Sequence, residues 1–242
     1  MTKSLDSGTL INRYNKLIKI QESDKVYYAC GHLYDKLFSV LSKPDLSSSS
    51  RSSKAQHDHR SSQLASVQYY VIRYYSRALM YSSRFLYQAL PRLLTVWLDF
   101  GASILHPPDS KNSRVVDRFK TINRVMLNFA KRLPAYNFLV VLSQLVSRIC
   151  HPNEDVFAVL EVIILSVLEL YPQQALWQLM GVQRSTYAAR SERCNAILAK
   201  ARALHGADAL TRVGVRGRNL GVGGLIQQAS KLTDQLLGLC NA

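Results

Sequence analysis

Three clusters of residues in this sequence are of types that could do chemistry. His57-Asp-His59 offers two imidazoles and a carboxylate, the donor set of a transition-metal site. Asp99-Phe100-Gly101 spells the triplet that holds the metal of a protein kinase. Five glycines and three arginines between Arg212 and Gly224 suggest a loop that could cradle phosphates. None has the context its chemistry requires. The two histidines lie two apart in a polar, serine-rich stretch with no further ligands nearby. The kinase triplet should follow a strand and a catalytic loop, and nothing of that kind precedes residue 99. The glycine spacing fits neither G-x-G-x-x-G nor G-x-x-x-x-G-K-[ST]. No Ser/His/Asp or Cys/His frame is present, so the sequence predicts no catalytic residue, no cofactor-binding residue and no metal ligand in this chain.

Charge is the other chemical feature. The 242 residues carry a formal net charge of +15. Residues 51–92, 111–132 and 184–218 each hold a net +6, and the remainder is slightly acidic. Such blocks suit nucleic-acid phosphates, an acidic protein partner, or simply a solvated helix face. Cys30, Cys150, Cys194 and Cys240 show no CxxC spacing and are expected as buried free thiols. No signal peptide is visible, and the most apolar segment, 156–170, contains Glu161 and Glu169 and is too short for a bilayer. A soluble intracellular protein is expected, with no membrane association.

The elements that must position these residues are helices. Residues 85–101 put Phe85, Leu86, Leu90, Leu93, Leu94, Trp97, Leu98 and Phe100 on one broad face. Pro91 suits the first turn of that helix and Gly101 its C-cap. Residues 10–20 form a short amphipathic helix, and Asp24 is expected to cap a second one reaching about residue 41. In it, Tyr27, Cys30, Gly31 and Tyr34 match the first helix of a tetratricopeptide repeat, with Gly31 admitting a close neighbour. Residues 64–83 and 110–132 read as long helices with one buried stripe each. Tyrosines and arginines interleave in the first of these, suiting either base stacking or core packing. Pro134 opens a helix that stops at His151-Pro152. Asn153 caps the next, which is apolar nearly all round over 156–170 and is expected at the centre of a stack. Pro172 opens a short helix anchored by Trp177. The expected division is a helical pair over 1–43, a serine-rich disordered linker over 44–63, a helical-repeat core over 64–205, a Gly/Arg-rich connector over 206–224, and a C-terminal helix over 225–242.

The string Gln88-Ala-Leu-Pro-Arg-Leu-Leu-Thr-Val-Trp-Leu-Asp-Phe-Gly101 resembles a signature of the FAT region of ATR-type DNA-damage checkpoint kinases, members of the phosphatidylinositol 3-kinase-related protein kinases. Further matching blocks follow in the family's order. They begin at Ala135, Leu142, Tyr171, Arg193 and Leu232, with Gly31-His-Leu-Tyr-Asp-Lys-Leu37 near the start. The resemblance implies an all-α solenoid of antiparallel helical pairs that supports a serine/threonine kinase domain without being catalytic itself. It implies as partners the parent chain's kinase domain and a regulatory subunit, with indirect association with DNA. ATP and a divalent metal would belong to the parent's kinase domain, and the location would be the nucleus. This chain looks like a piece of such a kinase or a truncated product. Because these kinases prefer Ser/Thr-Gln, Ser62-Gln63 at the linker edge is a candidate phosphorylation site. Ser143-Gln144 lies in a helix too apolar to be reached. The competing expectation is a stand-alone basic helical protein that binds nucleic acid or an acidic partner.

Overall fold

A computed structural model describes residues 7–43, 54–107, 109–206 and 221–240. Among them every regular element is a helix: α1 (Ser7–Ile20), α2 (Asp24–Leu41), α3 (Lys54–Tyr81), α4 (Leu86–Ser103), α5 (Ser113–Arg132), α6 (Ala135–Phe138), α7 (Leu142–Ser147), α8 (Glu154–Leu170), α9 (Pro172–Gln183), α10 (Ala188–Gly206) and α11 (Val222–Cys240). Short 3-10 turns occupy Ser83–Phe85, Asp109–Lys111 and Leu139–Val141. The class is all-α, of the helical-repeat type built from antiparallel pairs. The chain divides into two compact units, Met1–Leu133 and Pro134–Ala242.

In the first unit α2 and α3 form the closest pair. Arg60 at the start of α3 donates to the carbonyls of Leu41 and Lys43 at the end of α2, at 3.1 and 2.6 Å. At the opposite end, Tyr81 donates to the Glu22 carboxylate just before α2, and Ser82 donates to Asp24 at 2.6 Å. The two helices are therefore antiparallel. Ser23, rather than the expected Asp24, caps α2: its hydroxyl accepts from the Val26 N–H. Asp24 is the first helical residue, where its charge suits the positive end of the helix.

Helix α3 begins ten residues before its expected start at residue 64. Residues 54–63 are helical, and residues 44–53 of that expected linker lie outside the described residues. The polar first turns of α3 are held by what they bond. Arg60 satisfies carbonyls at the end of α2 that have no helical partner. Asn112, before α5, donates to the Asp58 carbonyl and the Ser62 hydroxyl.

Helix α4 also differs from expectation. It starts at Leu86, so Pro91 lies inside it rather than in its first turn. Gly101 falls in its last turn, and Ile104 is the C-cap. Its apolar face is buried as the spacing predicted, from Leu86 to Phe100.

In the second unit α8 packs against α6, α7, α9 and α10, the central position its all-round apolarity predicted. Asn153 caps it, accepting from the Asp155 and Val156 N–H groups at 3.0 and 3.3 Å. Arg193 of α10 braces the turn before α8. It donates to the carbonyls of Ile149 and His151 and to Glu154, and lies 4.1 Å from the Phe157 ring centroid. The helix expected after Pro134 is broken into α6, a 3-10 turn and α7. Helix α11 starts at Val222, three residues inside the expected connector, and residues 207–220 lie outside the described residues. Among the described residues, no helix is long and apolar enough to cross a membrane.

Candidate functional site

Among the described residues, those singled out for chemistry do not come together, and the Gly/Arg stretch up to residue 220 lies outside them. Asp99-Phe100-Gly101 lies in the last turns of α4, not after a strand. Among the described residues no three His, Cys, Asp or Glu side chains could hold one metal ion. Cys30 and Cys194 are buried, and burial pushes both thiols up to about 11, away from thiolate chemistry. Cys240, expected buried, is exposed.

What the sequence residues build instead is packing. At Gly31 an added Cβ would stand 2.6 Å from the Tyr75 ring, so the absence of a side chain sets the approach of α2 to α3. Tyr34 stacks on Tyr70 at 4.8 Å and on Tyr74 at 5.6 Å between ring centroids. Tyr27 and Tyr28 extend this aromatic layer toward Tyr81 and Phe85. The arginines between them serve the same layer: Arg77 donates to the Tyr27 hydroxyl at 3.0 Å and lies over its ring. These tyrosines are core and rim, not free platforms for bases. Burial raises the Tyr34 hydroxyl to about 12, with Tyr74 and Tyr70 adding to the shift. On α4, Trp97 is fully buried and donates to Asn123 of α5 at 3.1 Å. Arg92 forms a two-pronged pair with Asp35 of α2, at 2.7 to 2.9 Å.

Two expectations are corrected. Trp177 is not an anchor of the core: it is 79% exposed. In α9 the buried positions are Ala175, Leu176, Leu179, Met180, Val182 and Gln183, and 177 falls on the other side of the helix. Ser62 is not at the edge of a loose segment. It lies within α3, half-buried, donating to the Asp58 carbonyl at 2.8 Å and accepting from Asn112. A kinase that reads extended peptide would have to unwind α3 to reach it.

Two grooves remain as candidate binding surfaces. One, of about 640 Å³, runs between α3 and α5 and is lined by Ser62, Gln63, Ser66, Arg114, Arg118 and Thr121 among others. The other, of about 520 Å³, lies between α9 and α11 and is apolar, with Leu176, Trp177, Met180, Leu225, Leu232 and Leu236 in its walls. Sequence reasoning missed both. Each needs two helices from separate stretches, which the spacing within one helix does not report.

Residues 121–215 match a family model described as serine/threonine-protein kinase ATR-like, HEAT repeats. The chain is 36% identical over 180 residues to Protein kinase rad3 of Schizosaccharomyces pombe, covering 71% of this chain and 7% of that protein. It is 35% identical over 238 residues to Serine/threonine-protein kinase ATR of Arabidopsis thaliana, covering 96% of this chain and 8% of that one. This chain belongs to the ATR-type kinase family. It spans less than a tenth of the length of these relatives. The ATR-type match is described by HEAT repeats where the sequence resemblance suggested the FAT region, and both names denote stacked helical pairs. Serine/threonine-protein kinase ATR of Drosophila melanogaster is 34% identical over 167 residues, 69% of this chain and 6% of that protein.

Proposed function

We propose that this chain is a helical scaffold segment of an ATR-type serine/threonine kinase acting in the DNA-damage and replication checkpoint in the nucleus. The observation that carries the reading is the apolar groove of α9 and α11, with Trp177 standing exposed in its wall. Along α11 Leu232, Leu236, Leu237 and Leu239 are exposed as well. Uncovered apolar surface of this kind marks a contact face. In the reading proposed here that face meets neighbouring helices of the parent kinase, including those that surround its kinase domain, and the wider surface serves assembly with a regulatory subunit. Association with DNA would pass through those partners. ATP and a divalent metal would be bound by the parent's kinase domain, which supplies the phosphoryl-transfer chemistry.

The test is an immunoprecipitation from native extract with an antibody against residues 111–132. Phosphate transfer to a Ser-Gln peptide by the precipitate, absent from a control precipitate, is expected. A clean precipitate with no transfer above control contradicts the reading.

A further inference from the structure

Arg114 stands where a helix gives no reason for a cation. It lies in the first turn of α5, at the positive end of the helix dipole, and no acid accompanies it there. Among the described residues neither Arg114 nor Arg118 forms an ion pair. Asp117, the acid in the wall of the α3–α5 groove, is turned to Lys120 at 3.8 Å. Arg118 lies 4.9 Å from the centroid of Tyr69, a ring that also carries the guanidinium of Arg73. At Arg114 a local preference is broken without a compensating ion pair, which points to a binding role.

The rest of the groove says what kind of anion. Ser62 in its wall accepts from Asn112, which also donates to the Asp58 carbonyl of α3. The hydroxyl protons of Ser62, Ser66 and Thr121 are all committed to backbone carbonyls, at 2.8, 2.9 and 2.9 Å. The Ser66 and Thr121 oxygens keep acceptor capacity, whereas the Ser62 oxygen already accepts from Asn112. An extended peptide supplies N–H donors to meet them, and a phosphodiester backbone has none. The one ring among these lining residues is the imidazole of His59, so there is no row of rings on which successive bases could stack. Arg114 and Arg118 are one helical turn apart, about 6 Å along the axis. Alternate side chains of an extended chain are spaced by roughly 6.6 Å on one side.

We propose that the α3–α5 groove binds an extended acidic peptide segment, with carboxylates at alternate positions paired to Arg114 and Arg118. This does not depend on the kinase reading. The 242-residue chain is titrated, by fluorescence anisotropy, with a labelled peptide of alternating glutamate and serine and with its glutamine counterpart. Only the glutamate peptide is expected to bind. Arg114→Glu with Arg118→Glu should weaken it by at least about tenfold, because two charge-assisted pairs are lost. Arg124→Glu, on another stripe of α5, should change it by less than about twofold, as a screened surface charge. Should the double glutamate variant fail to melt like the wild type, Arg114→Gln with Arg118→Gln replaces it. Failure of the glutamate peptide to bind overturns the proposal, as does an equal loss in Arg124→Glu. A labelled oligothymidylate that binds more tightly than the peptide, and is lost in the same double variant, assigns the groove to nucleic acid instead and also overturns it.

Discussion

At Gly31 and Gly181 the same residue type has opposite meanings. The Tyr75 ring, itself buried, fills the space a Cβ would need at Gly31. Nothing lies within 4 Å of that position at Gly181. Alanine is the better helix former by about 1 kcal/mol, while forcing a methyl group into a packed contact costs about 1–3 kcal/mol. Gly31→Ala should therefore lower stability in urea unfolding by up to about 2 kcal/mol, because the clash offsets or exceeds the propensity gain. Gly181→Ala should raise it by up to about 1 kcal/mol. Destabilisation by both would show that the Tyr75 contact is not what matters at Gly31. The same aromatic layer sets the alkaline limit. Tyr34 titrates at about 12 in the folded chain against an ordinary value of 10.0. A group raised in this way stabilises the fold fully below its unfolded value, and that contribution is lost as pH rises from 10 toward 12. Tyr34→Phe should flatten this loss between pH 10 and 12, measured by denaturant unfolding across that range. An unchanged profile would mean that Tyr34 does not ionise on unfolding in this range.

The helices show how far one sequence carries. The spacing of apolar residues located the buried face of α4 and the central place of α8, since burial in a helix follows a period of 3.6 residues whatever lies opposite. Asn153 was legible as a cap because its side-chain oxygen competes for local N–H groups. Asn153→Ala should cost the second unit about 1 kcal/mol, observed as a lowered midpoint of thermal or urea unfolding, and Asn153→Asp should restore it. A neutral alanine would mean that Arg193, which braces the same turn, fixes the start of α8 alone. The misplaced elements failed for a tertiary reason. Pro91 looks like a helix start, but the preceding turn of α4 is held by Leu86, Ala89 and Leu90 in the core. Residues 54–63 look like linker because their composition is polar, yet Arg60 and Asn112 tie them to α2 and α5. Composition cannot register a bond made to a residue fifty positions away.

For the whole molecule, the family was readable from several ordered blocks, and the sites were not. Trp177 shows why. A tryptophan at helical spacing reads as core, because spacing reports amphipathicity and not which apolar surface stays uncovered in the folded chain. Its exposure in the α9–α11 groove makes sense if the chain is one part of a larger helical assembly. The same view accounts for the stacked helical pairs and for similarity to kinases many times its length. The most direct test of that central claim is an immunoblot of denatured native extract with an antibody against residues 111–132. A band far heavier than 27.3 kDa, in the size range of the ATR-type relatives, is the predicted result. A single band at 27.3 kDa would contradict it and leave the helical units to act on their own.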